Sequence, residues 1–331
     1  MRTHGFWTVA PGCGEIRDTE LEPPAAGALR VRALYSGISR GTERLVFDGE
    51  VPESEYARMR APFQEGEFPA PVKYGYASVG VVEAAGSDAA ARALLGKTVF
   101  CLYPHQCDYV VPLSALTVLP EGLPAARAVL AANMETAVNA LWDAAPAVGD
   151  RIAVIGAGVV GCLVAWLCSR LPGCRVELID IDASRAQLAT ALGLRFRPPS
   201  AAAPECDLVI HASGQAAGLR DALRLAGQEA MVLEMSWFGR QAVSLPLGEA
   251  FHVRRLTLRS SQVGSIPPGR LPRWDYRRRL ELALSLLTDP VLDALISGES
   301  SFFDLPTVMA SVLDRDANTL CHRIRYPSPA G

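Results

Sequence analysis

The sequence predicts an α/β protein in which a doubly wound parallel-sheet domain accompanies a β-rich domain. Three observations predict this class. Residues 151–180, RIAVIGAGVVGCLVAWLCSRLPGCRVELID, run strand, glycine turn, helix, strand, acid. Strand-like runs recur at 207–211, 230–235 and 256–259 with helical stretches between them. Before residue 125, short β-like runs alternate with turns.

Taken in order, residues 29–34 and 78–83 alternate or run apolar, and 98–102 and 109–112 have the length of short strands. Residues 51–74, VPESEYARMRAPFQEGEFPAPVKY, are proline-rich and show no period, which predicts a long loop. Its Tyr56, Met59, Phe63 and Phe68 either cover a pocket or pack the loop onto the domain. Residues 125–145 repeat Ala, Leu and Met at three- and four-residue steps and predict one helix. After Pro272 a helix is expected over 276–287, and the chain closes with a strand at 320–326. The expected domains are 1–125 (β-rich), 126–272 (parallel sheet) and 273–331 (a return to the first).

The stretch 151–180 carries the clearest chemistry. Gly156 permits a tight turn, Gly158 lets the backbone approach a diphosphate, and Gly161 lets the helix pack on the strand. Val159 and Val160 open the helix, whose N-terminal amides and dipole favour the phosphates of a dinucleotide. Asp180 suits the adenosine ribose hydroxyls, which favours NAD over NADP without excluding the latter, and Arg185 lies five residues on. Residues 152–168 are almost continuously apolar, yet the glycines mark a buried strand and helix rather than a membrane span.

With 331 residues, half of them hydrophobic, the chain has material for two cores. A net charge of −3 gives no case for nucleic acid or an anionic membrane. The eight cysteines show no CxxC, so buried free thiols in a reducing cytoplasm are expected. The N-terminus lacks the apolar core of a signal peptide.

The motifs Tyr35-Ser36-Gly37-Ile38-Ser39, Gly75-Tyr76-Ala77-Ser78-Val79-Gly80 and 156–161, with the domain order, resemble the medium-chain dehydrogenase/reductase superfamily over nearly the whole chain. The phrases SGISRGTE (36–43), PHQ (104–106), ANMETAVNALWD (132–143), SWFG (236–239) and SSQVG (260–264) are similar to bacterial zinc-binding alcohol dehydrogenases of the bacteriochlorophyllide a dehydrogenase type. The resemblance implies a GroES-like catalytic domain, a Rossmann domain, hydride transfer between NAD(H) and a small molecule, and a homodimer paired through 256–260.

The resemblance also implies a missing metal. At the family's zinc-ligand positions stand Ser39, Tyr76 and, near the third, Ala132, and the four-cysteine structural lobe is absent. A hydroxyl and a phenol are poor zinc ligands, so no zinc is expected. A rebuilt site from His105, Cys107 and Glu135 is the alternative. Without a metal, proton exchange falls to Ser39, Tyr76, His105, Glu135 or Lys73. His105 is first choice because its unperturbed titration lies near neutrality, with Glu135 as a base or as the group orienting it. Ser213, Ser236, Trp237, Ser261 and Gln262 are expected beside the cofactor, and Arg323 at its diphosphate. The run Arg270, Arg273, Arg277, Arg278, Arg279 is expected to be a solvated helix face. An ene or quinone reductase and a non-catalytic nucleotide sensor are the rival readings.

Overall fold

The computed structural model describes residues 1–327. Its strands are β1 (Arg2–Ala10), β2 (Cys13–Glu20), β3 (Ala28–Ile38), β4 (Glu65–Gly66), β5 (Val72–Lys73), β6 (Ser78–Ala85), β7 (Thr98–Cys101), β8 (Asp108–Pro112), β9 (Thr117–Val118), β10 (Arg151–Ile155), β11 (Arg175–Ile179), β12 (Arg195–Arg197), β13 (Cys206–His211), β14 (Ala226–Glu234), β15 (Thr257–Ser260), β16 (Ile296–Ser301) and β17 (Cys321–Arg325). The helices are α1 (Arg40–Phe47), α2 (Ala89–Arg92), α3 (Ala125–Ala128), α4 (Ala131–Ala144), α5 (Val159–Cys168), α6 (Arg185–Ala191), α7 (Ala216–Leu225), α8 (Tyr276–Leu286) and α9 (Leu305–Leu313).

Two compact units divide the chain. The first comprises Met1–Ala132, Leu284–Asp289 and the segment from Ile296 onward; the second comprises Asn133–Ala283 and Pro290–Leu295. The division differs from the expected 125/126 and 272/273: most of α4 and the first two turns of α8 fall in the second unit.

In the first unit a four-stranded sheet has the order β2-β1-β5-β4, and a larger sheet runs β16-β17-β3-β6-β7-β9 with β8 also on β3. β3 alternates inward apolar residues, Leu29, Val31 and Ala33, that join Val99 and Cys101 of β7 and the buried face of α9 in one core. The β1–β2 hairpin was not among the expected elements: half of β2 faces solvent, so its alternation is weak. The long loop at 51–74 contains β4, β5 and a short 3-10 turn, Glu53–Glu55.

In the second unit six parallel strands take the order β12-β11-β10-β13-β14-β15. β10, at the centre, is buried over Ile152–Ile155, as a parallel strand covered on both faces must be. This is the doubly wound arrangement expected. The single helix expected over 125–145 is instead α3 and α4, parted by a tight turn in which the Leu130 amide donates to Arg127 O. Among the described residues no helix is long and apolar enough to cross a membrane. The apolar run at 152–168 is β10, the glycine turn and the ten residues of α5.

Candidate active site

Crowding explains the glycine turn of the second unit. At Gly161, a Cβ would stand 1.9 Å from Gly156 O, so only glycine lets α5 start against the turn. Gly156 has φ +108°, and a Cβ there would lie 2.7 Å from Ser213 N. Gly158 is different: it precedes α5 as its N-cap, and a Cβ on it would meet nothing within 4 Å. The fold does not require glycine there, but a ligand approaching the amides of Val159 and Val160 would.

Asp180 follows the end of β11, and each of its oxygens accepts a backbone amide. Oδ2 takes Ala157 N–H at 2.6 Å and Oδ1 takes Asp182 N–H at 2.9 Å. The carboxylate therefore braces the glycine turn and keeps a further lone pair on each oxygen. Arg185 pairs with Asp182 at 3.4 Å.

On the other side of β10, His211 and Glu234 end β13 and β14 side by side. They hold Ser213 and Ser236, with His211 Nε2 2.6 Å from Ser213 Oγ and Glu234 Oε1 accepting Ser236 N–H at 2.6 Å. The sequence reading included the two serines and missed the pair that holds them. Trp237 follows, partly buried. Ser261 donates to Asp143 Oδ2 at 2.7 Å, and Gln262 folds back to accept Gly264 N–H at 2.6 Å.

In the first unit, a polar cluster forms where β3 passes into α1. His105 is buried, with Nε2 2.9 Å from Glu43 Oε2 and Nδ1 2.7 Å from Ser36 Oγ. Ser36 is in turn 2.9 Å from the Tyr326 hydroxyl. The other Glu43 oxygen accepts Ser39 N–H at 2.7 Å, while Glu43 N–H donates to Ser39 O. The Tyr76 phenol lies beside the side chains of Ser39 and Thr42. Burial and then the Glu43 charge push the Tyr76 phenol up to about 12, so it is a proton donor at neutral pH. Gly75, at φ +127°, fits closely against the imidazole: a Cβ would lie 3.1 Å from His105 Cδ2.

This geometry corrects two expectations. The carboxylate bonded to His105 is Glu43, not Glu135. Glu135 pairs with buried Arg279 at 3.0 Å, and Arg279 also reaches Asn139 Oδ1 at 2.5 Å and Val263 O at 2.7 Å. Desolvation raises the Glu135 titration despite that guanidinium. His105 is 1% exposed, and the cavity beside it is about 10 Å3, no more than one water requires. The imidazole lies behind Ser39 and Tyr76, which are only partly buried. Glu43 lay within the quoted phrase SGISRGTE, one helical turn after Ser39; that i, i+4 spacing was the available signal.

The loop aromatics pack against neighbouring rings. Tyr56, Phe68, Tyr74 and Tyr76 follow one another with centroids 5.5, 5.8 and 5.9 Å apart, and Phe63 lies 5.3 Å from Tyr103. Lys73 is fully buried, held by Glu65 and Gln106, with its titration lowered by burial. The arginine run is not a uniformly solvated face. Arg279 is buried, Arg270 lies over Trp142 and Arg278 over Trp274. Arg323 pairs with Glu299 and stacks over Tyr35.

The residues present do not suit zinc. Ser39 and Tyr76 offer hydroxyls that stand beside each other. In the alternative set, His105 has both nitrogens engaged, burial pushes the Cys107 thiol up to about 12, and Glu135 is held by Arg279. Among the described residues no group of three or more His, Cys, Asp or Glu side chains gathers as a metal site.

No family model matches the chain. The D-guloside 3-dehydrogenase of Escherichia coli K12 is 24% identical over 336 residues, spanning 92% of this chain and 95% of that protein. The 2R,3R-butanediol dehydrogenase of Bacillus subtilis superposes with a TM-score of 0.79 at 17% identity, covering 99% and 100% of the two chains. A Sinorhizobium meliloti 1021 structure named for a zinc-binding dehydrogenase, bound to NADP, gives a TM-score of 0.78 at 19% identity over 98% and 99%.

Proposed function

We propose that this chain, which has the two-domain fold of the medium-chain dehydrogenases/reductases, is an NAD(H)-dependent oxidoreductase that interconverts an alcohol and a ketone or aldehyde without zinc. The reading is carried by a complete dinucleotide turn in the second unit, supported by a hydroxyl cluster in the first that is backed by a buried carboxylate–imidazole pair. Bound NADH would supply the hydride to the carbonyl carbon, and the carbonyl oxygen would then need a proton.

The second unit would bind the dinucleotide. Asp180 accepts from the ribose diol and would repel a 2′-phosphate, and the α5 amides face the diphosphate. The first unit would handle the proton. Tyr76 donates to the oxygen of the substrate, and Ser39 holds the phenol in place. Glu43, bonded to Ser39 N and His105, keeps negative charge near that hydroxyl pair. His105 in turn fixes the carboxylate.

The relatives' names support an alcohol–ketone pair, since one is named for a sugar derivative and another for a diol. The purified protein, supplied with NADH, is expected to consume it with a ketone or keto-sugar. Consumption with an activated alkene alone would favour the ene-reductase reading. No consumption with either class, alongside tight NADH binding, would favour a sensor. The exposed edge strand β15 is where we place pairing of two copies, and light scattering giving a monomer mass would refute that.

A further inference from the structure

The C-terminal ends of β13 and β14 hold four side chains in a closed hydrogen-bond network. His211 is fully buried, its Nδ1 2.6 Å from Glu234 Oε2 and its Nε2 2.6 Å from Ser213 Oγ. Glu234 Oε1 accepts Ser236 N–H, and Ser236 Oγ accepts Gly214 N–H at 3.0 Å. The Phe238 ring stacks on the imidazole at 6.2 Å. From α7, Gly218 closes the other side: a Cβ there would lie 2.5 Å from Ser213 Oγ and 2.8 Å from His211 Nε2. Helix propensity alone would favour alanine at 218; the network excludes it.

The chemistry of the four groups orients their protons. A carboxylate only accepts, so Nδ1 of His211 donates to Glu234; in the tautomer with its proton there, Nε2 accepts from the Ser213 hydroxyl. Ser213 then has two lone pairs, one of which takes Gln215 N–H at 3.2 Å. The other can accept from a ligand. Among the described residues nothing takes the Ser236 hydroxyl proton, because the nearby His211 Nδ1 already carries its own. One acceptor and one donor stand together, which is what a sugar hydroxyl pair requires.

Their place in the sheet says which sugar. Asp180 follows β11 on one side of β10, and Ser213 follows β13 on the other. Ser213 N also sits against Gly156, the start of the diphosphate turn. A dinucleotide with its adenosine ribose at Asp180 and its diphosphate at the turn brings its second sugar to the β13–β14 ends.

We propose that His211 and Glu234 are positioning residues that set Ser213 and Ser236 as an acceptor–donor pair for the ribose of the nicotinamide half. The proposal rests on the dinucleotide reading given above. Its test is calorimetric titration of the wild type and of Ser213→Ala, Ser236→Ala, His211→Ala and Gly218→Ala with NADH and, separately, with ADP, which lacks the second sugar. Each variant is expected to bind NADH about tenfold more weakly while ADP affinity stays within about twofold, as loss of one hydrogen bond implies. Ser213→Ala and Ser236→Ala change only a partly exposed hydroxyl, so they report even if His211→Ala fails to fold. Unchanged NADH affinity in both serine variants would overturn the proposal and leave the dinucleotide reading standing. Equal loss of NADH and ADP would also overturn it, since the network would then only support the fold. A wild type that binds neither ligand would overturn the dinucleotide reading itself, and this proposal with it.

Discussion

Glu43 Oε2 lies 2.9 Å from His105 Nε2 with both side chains buried, and the same carboxylate accepts Ser39 N–H at 2.7 Å. The pair is thus one residue removed from the Tyr76–Ser39 hydroxyls. Glu43→Gln keeps the shape and removes the charge. Because the Glu43 charge helps the Tyr76 phenol hold its proton, the variant is expected to move the high-pH limb of carbonyl reduction to lower pH while NADH affinity stays unchanged. His105→Ala strands a buried carboxylate oxygen and should cost about 1–3 kcal/mol of stability, measured by urea unfolding. Normal turnover in both variants would show that the pair is only structural.

Tyr76 gives a pH prediction whose sign is fixed. Its folded titration, pushed up to about 12, lies above the value of an unfolded tyrosine, about 10. The stabilisation is therefore fully present below pH ~10 and is lost as pH rises through ~12, because the unfolded chain gives up its proton first. Buried Tyr74 and Tyr109, raised by the same desolvation, act in the same direction. The melting temperature should fall steeply across that window. Tyr76→Phe should flatten part of the fall and, at neutral pH, lower turnover by about a hundredfold.

The glycine turn separates folding from binding. Gly161→Ala places a Cβ 1.9 Å from Gly156 O and should both destabilise the protein and abolish NADH binding. Gly158→Ala meets no neighbour within 4 Å, so its melting temperature should match the wild type while NADH affinity falls at least about tenfold. Full NADH affinity in Gly158→Ala would mean that no diphosphate approaches that backbone.

The donor set predicts a protein without tightly held zinc. Elemental analysis should find well under one zinc per chain, and a chelator should leave turnover unchanged. One retained zinc per chain with chelator-sensitive activity would require a ligand set other than Ser39, Tyr76 and the engaged His105.

Much of this arrangement was legible in the chain. The order strand, GAGVVG, helix, strand and Asp180 specified the centre of the parallel sheet, because each glycine is demanded by a local clash or an open approach. The site was less legible because its partners meet through tertiary packing. His105 finds Glu43 from α1 and Ser36 from β3, 62 and 69 residues away, and no local period encodes such a meeting. Glu135 looked like a cleft carboxylate because its partner, Arg279, was hidden in a run of arginines that suggested a solvated face. His211 and Glu234 were overlooked for a similar reason: each ends an apolar strand, and only the parallel register brings them together.

The most direct test of the account is a calorimetric titration of the purified protein with NADH and NADPH. With Asp180 on the adenosine ribose, saturable binding of about one NADH per chain is expected, tighter than NADPH, with Asp180→Ser narrowing the difference. Failure to bind either dinucleotide would contradict the account at its centre, and tighter binding of NADPH would show that Asp180 does not meet the ribose.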